Sequence, residues 1–123
     1  MPKSWFVTGS SRGLGRAIVM AALEAGHKVM ATARNPGDLD DLATQYRGRI
    51  IPSALDVSDT AAVGRAVADA KDTFGRVDVV VNNAGYASLA SVEDMSQDAF
   101  ADQMATNFFG TVHVSKAVLP ILR

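Results

Sequence analysis

The sequence predicts an α/β fold, a doubly wound sheet of parallel strands with helices on both faces, and three observations predict it. Apolar, strand-like runs alternate with helix-like segments along all 123 residues. The first run breaks into a glycine-rich turn and then into a helical pattern. The third run carries Pro52, which cannot donate to a sheet ladder and so belongs on an edge strand. The order 3-2-1-4 of such sheets places the third strand at that edge.

The elements follow in order. Ser4-Trp5-Phe6-Val7 forms the first strand, and Thr8-Gly9-Ser10-Ser11-Arg12-Gly13-Leu14-Gly15 the turn. Glycine is needed at Gly9 for a tight exit from the strand, at Gly13 for close approach of the backbone to a pyrophosphate, and at Gly15 for helix–strand packing. A helix starting near Gly13 aims its unbonded N–H groups and positive dipole end at those phosphates. Leu14, Ile18, Ala21, Ala22 and Ala25 give that helix an apolar face, and Gly26 stops it. Residues 28–33 are the second strand. Asn35 as cap and Pro36 at the first position open a second helix whose face is Leu39, Leu42, Ala43 and Tyr46, ended by Gly48.

Residues 49–55 form the third strand, followed by Asp56 and Val57. Ser58 is the expected cap of a helix with Val63, Ala66, Val67, Ala70 and Phe74 on one face, terminated by Gly75. Residues 77–81 are the most β-rich run and make the fourth strand. Asn82-Asn83-Ala84-Gly85 comes directly after it, at the carboxyl end of a strand, where open α/β sheets bind ligands. From residue 96 to 122 the pattern is a kinked helix with Gly110 inside it and Pro120 near its end. Its two apolar series, Ala101, Met104, Phe108, Val112, Leu119 and Phe100, Val114, Ala117, Ile121, predict burial on two sides.

Composition narrows the function. Apolar residues are 48% and charged residues 20%, ordinary for one globular domain spanning residues 1–123. Twelve Lys and Arg against thirteen Asp and Glu give a net charge of −1, so no basic surface points to nucleic acid. The absence of cysteine excludes disulfides and thiolate chemistry. With no secretory pattern and no apolar stretch of about 18 residues, a cytoplasmic protein away from the membrane is expected. No His and carboxylate spacing predicts a metal site, and His27 and His113 read as surface or packing residues.

Taken together, Thr8 to Gly15, Asp56, Asn82 to Gly85 and Asn107 resemble the N-terminal half of a short-chain dehydrogenase/reductase. The spacing T-G-x-x-x-G-x-G, rather than G-x-G-x-x-G, carries much of that likeness. The resemblance implies a Rossmann-type sheet, cut to about four strands, with an NAD(P) cofactor across the carboxyl ends of the strands. It implies that the glycine motif holds the pyrophosphate, that Asp56 contacts the adenine amino group, and that Asn82 to Gly85 line the cofactor while bracing the central strand. Asp56 as a helix cap and Asn83 as a partner of buried backbone groups stay open beside those roles.

Charge argues the cofactor. Where an NAD enzyme of this fold has an acidic residue after the second strand, this chain has Ala33 and Arg34. Arg12 and Arg34 can converge on a 2′-phosphate as forked donors, which predicts NADP(H) over NAD(H). The implied reaction is hydride transfer to or from a small carbonyl or alcohol substrate, with residues 86–95 on the substrate side.

The family's acid is a tyrosine with a lysine four residues later, because an unperturbed tyrosine near pKa 10 is a poor acid at neutral pH. Tyr46 is followed at that distance by Ile50 and Tyr86 by Ala90, so of the catalytic group only Asn107 is expected here. Alone, the chain is then expected to be inactive, and a non-catalytic nucleotide-binding module or fragment is the alternative. The fourth strand would show a bare apolar edge. Self-association through that edge or the long C-terminal helix is expected, or membership in a longer polypeptide.

Overall fold

In the computed structural model, which describes residues 2–87 and 90–122, four strands form one parallel sheet. They are β1 (Ser4–Val7), β2 (Lys28–Ala33), β3 (Ile50–Ala54) and β4 (Val79–Val81), in the order β3-β2-β1-β4. Trp5 lies opposite Val29 on one side and Val79 on the other, and Ala31 lies opposite Pro52. Pro52 is on an edge strand, as its missing N–H requires.

Side-chain alternation along the strands feeds two cores. Phe6 and Met30 point to the face covered by α3 (Thr60–Phe74) and α5 (Thr111–Leu122), where Val63, Val67, Val114 and Val118 are buried. Val7, Val29 and Ala31 point to the face covered by α1 (Gly13–Glu24) and α2 (Asp40–Gln45), against Val19, Leu23 and Leu42. The helices therefore lie on both faces of the sheet.

Several local expectations are corrected. The second helix begins as a 3-10 turn, Pro36–Leu39, and Asn35 makes no side-chain cap bond there. The cap of α3 is Asp59, whose carboxylate accepts from the Ala62 N–H at 3.1 Å. Ser58 instead donates its hydroxyl (2.7 Å) and its N–H (3.0 Å) to Asp56, because a carboxylate two residues back is the nearer acceptor. The fourth strand starts at Val79, since the Asp78 carboxylate turns back to accept the Ser4 N–H at 2.8 Å.

The long helix is divided. An α-helical piece, α4 (Gln97–Met104), runs into a π-turn, Ala105–Gly110, and then α5. A Cβ on Gly110 would stand 2.5 Å from the Val57 side chain, so the bend lets the helix close onto the sheet end only through glycine. Burial on two sides does not occur. Val114 and Val118 are buried, whereas Met104 (51% exposed), Phe108 (53%) and Leu119 (50%) are not. The apolar pattern marks a second face, and no element among the described residues covers it. Residues 88 and 89 of the expected 86–95 stretch lie outside the described residues.

Candidate functional site

The carboxyl ends of β1, β2 and β4 open into one cleft of about 700 Å³. Its walls include Gly9, Ser11, Arg12, Gly13 and Leu14 from the turn, Ala33 to Asn35 and Asp38 after β2, Leu55 and Val57 after β3, Asn83 to Tyr86 after β4, and Thr106 from the π-turn. Ten of the residues singled out from sequence thus meet there. Thr8, Ser10 and Gly15 do not form walls but shape the turn from behind.

The buried Thr8 hydroxyl accepts the N–H groups of both Asn83 and Ala84 at 3.0 Å, tying the turn to the end of β4. Asn83 donates its side-chain amide to the Gly9 carbonyl at 3.1 Å, so it does serve a backbone group. Ser10, fully buried, donates its hydroxyl to the Val7 carbonyl at 2.9 Å. The turn is closed so tightly that a Cβ on Gly15 would stand 2.0 Å from the Gly9 carbonyl oxygen and 2.4 Å from the Asn83 amide. Gly13 is the opposite case. Its φ of 61° is costly for any residue with a side chain, and a Cβ there would point into open space. Bare backbone is therefore presented on the cleft side.

The helix ends differ in the same sense. The first turns of α3 and α4 are capped by Asp59 and by Ser96, which accepts the Ala99 N–H at 3.1 Å. At α1, Arg12 is the cap residue and makes no side-chain cap bond. The α1 terminus thus offers its donors and its positive end to an anion. With a glycine cradle before it, this donor set fits the pyrophosphate of a dinucleotide.

Asp56 is not among the walls but sits beside one of them: it accepts both Ser58 bonds on Oδ1, and the Arg34 guanidinium stands 3.9 Å from the same oxygen. The Ser58 hydroxyl first, then its N–H and more weakly Arg34, hold the Asp56 carboxyl below its ordinary range. It is an acceptor at neutral pH. Arg34 also donates Nη2 to the Thr106 hydroxyl at 3.3 Å. Arg16, behind the wall, pairs with Asp41 and donates to the Asp38 carbonyl at 3.1 Å, holding the segment after β2.

Asn107 is one residue behind the wall. Its carbonyl oxygen accepts the Tyr86 N–H at 2.8 Å and its amide donates to the Tyr86 carbonyl at 2.6 Å, so it pins the strand-end loop. Asn82 is linked to the Ser115 hydroxyl at 3.3 Å. His113 bonds the Val57 carbonyl at 3.1 Å, and His27 stacks on Trp5, both in packing roles. Among the described residues no cluster of three or more His, Asp or Glu could hold a metal, and no helix is long and apolar enough to cross a membrane.

Thr106, Leu55, Asn35 and Asp38 were not singled out as site residues from sequence, whereas Tyr86 opens the 86–95 stretch expected on the substrate side. Asn35 and Asp38 follow β2 closely enough for position to suggest them. Thr106 carries no such signal, because only the π-turn brings it to the cleft.

The family model "short chain dehydrogenase" matches residues 3–123. The chain is 55% identical to Oxidoreductase BOA17 of Botryotinia fuckeliana over 100% of its own length and 45% of that protein. It is similar to an alcohol dehydrogenase from Thermococcus sibiricus complexed with 5-hydroxy-NADP (31% identity, TM-score 0.94, 99% of this chain and 54% of that one). It is also similar to a 3-ketoacyl-(acyl-carrier-protein) reductase from Brucella melitensis complexed with NADH (27% identity, TM-score 0.91, 97% and 50%). The chain spans about half the length of the proteins it matches.

Proposed function

This chain belongs to the short chain dehydrogenase family, and on that premise we propose that it is the NADP(H)-binding part of an oxidoreductase acting on carbonyl or alcohol substrates. The observation that carries the reading is the α1 terminus. It begins at Gly13, whose backbone lies open to the cleft, and has no side-chain cap, while α3 and α4 are capped by Asp59 and Ser96.

Residues 1–123 then act as one dinucleotide-binding domain. Gly9 to Gly15 hold the pyrophosphate, Asp56 accepts from the adenine amino group, Val57 packs beside it, and Asn83 to Gly85 line the nicotinamide side. A nicotinamide cofactor held there would supply the hydride donor or acceptor for the substrate carbon. Asn107 acts by fixing the Tyr86 backbone on that side. Preference for NADP(H) rests on charge: Ala33 ends β2 where a carboxylate would repel a 2′-phosphate, and Arg12 and Arg34 line the same cleft. A protein of the cytoplasm that self-associates through its exposed helix or the β4 edge completes the proposal.

Calorimetric titration of both cofactors tests it. Tighter binding of NADPH than NADH is expected, and equal or weaker NADPH binding refutes the preference. A second reading, nucleotide binding without turnover, is favoured by one observation: neither tyrosine has a lysine four residues on. Carbonyl reduction by these 123 residues alone would exclude it.

A further inference from the structure

The π-turn serves both ends of the cleft with consecutive residues. Asn107 holds Tyr86 at one end, and Thr106 holds Arg34 at the other. A π-turn widens the helix by a residue, and such bulges often sit at functional sites. Here the widening is kept by Gly110 against Val57, so Thr106 is a fixed point: it is only 6% exposed. Arg34 is the contrary case. Its side chain is 64% exposed and long, and with no anchor it would sample many rotamers.

We propose that Thr106 is a positioning residue for the 2′ end of the nucleotide. Resting on the cofactor reading above, it acts through Arg34 to favour a 2′-phosphate. Its hydroxyl accepts one Nη2 hydrogen, and the Asp56 carboxylate lies beside the same nitrogen. These contacts hold the guanidinium at the cleft wall in advance. The guanidinium keeps donors to spare, because one hydroxyl uses only one of its five N–H groups. A phosphate arriving at the ribose then meets a donor already ordered, and less side-chain freedom is lost on binding. Thr106 touches the nucleotide's preference without needing to touch its phosphate.

Calorimetry with adenosine 2′,5′-bisphosphate and adenosine 5′-monophosphate on the full 123-residue chain tests this. The readout is the ratio of the two affinities, which a loss of general stability does not move. Thr106→Val is expected to lower the preference for the bisphosphate about threefold, and Thr106→Ser to restore it. Thr106→Ala serves in the same role if the valine variant does not fold. In an Arg34→Ala background Thr106→Val is expected to leave the ratio where Arg34→Ala put it. An unchanged or raised ratio in Thr106→Val, or an equal fall in both backgrounds, overturns the proposal. A wild-type chain that binds the two probes equally refutes the NADP(H) reading itself, and this inference with it.

Discussion

The turn after β1 and the helical segment from α4 to α5 are both built around glycine, yet they end in opposite states. In the turn the polar groups satisfy one another. Thr8 takes two N–H groups, Asn83 takes the Gly9 carbonyl, and Gly15 closes against both without room for a methyl group. In the helical segment Gly110 fits Val57 as closely, but the outer face carries Met104, Phe108, Phe109 and Leu119, all about half exposed. A polar turn can be completed by residues within reach of its own backbone, because hydrogen bonds need only a few correctly placed atoms. An apolar stripe is completed only by another surface. The difference teaches that the turn is closed by its own hydrogen bonds, whereas the outer face of the long helix stays uncovered among the described residues.

Four changes break or sharpen that comparison. The largest effect is expected of Gly15→Ala, whose Cβ would meet backbone that cannot give way. A loss of about 3 kcal/mol in urea unfolding follows from such overpacking, and a loss under 1 kcal/mol would show that the turn is looser than described. Gly110→Ala meets the Val57 side chain, at 2.5 Å, rather than backbone, so a single side chain and not the main chain must give. About 1 to 2 kcal/mol is expected by the same measurement, so a loss as large as that of Gly15→Ala would remove the distinction between the two glycines.

Phe108→Ser tests the exposed face. Because Phe108 is 53% exposed, unfolding stability should change by no more than about 0.5 kcal/mol, while self-association seen by light scattering should fall. Equal association of wild type and variant would direct attention to the β4 edge instead. The smallest effect concerns pH. The Ser4 N–H, and after it Arg76, lower the Asp78 carboxyl from its ordinary value of 3.8. A depressed carboxyl contributes stability that is full above the unfolded value and is lost as pH falls through the folded one. Asp78→Asn should therefore be less stable than wild type at neutral pH, and the two unfolding curves should converge in acid. Parallel curves down to pH 3 would exclude this role for Asp78.

Much of the architecture could be read along the chain because its determinants are local or periodic. Four strand-like runs, the edge position required by Pro52 and the glycine spacing of Gly9, Gly13 and Gly15 each depend on near neighbours, and the sheet order agrees with them. The caps were less readable. Ser58 and Asp59 are both good capping residues, and the choice fell to Asp59 only because Asp56 engages Ser58. In the cleft, Arg12, Gly13, Arg34 and Asn83 were identifiable by motif or by charge. Thr106 was not, since in a regular helix nothing distinguishes it from its neighbours.

By itself the sequence determined the strand and helix pattern, the glycine spacing of the turn and the family to which the chain belongs. These rest on short-range rules: side-chain period, the φ that glycine permits, and the dipole at a helix start. Only the tertiary structure decided which helix termini stay open, which apolar face is covered and which side chain meets Arg34. Those outcomes depend on groups distant in sequence, with Asn83 reaching Gly9 and Thr106 reaching Arg34. Such pairings are selected by the packing of helices on the sheet, and no local rule encodes them.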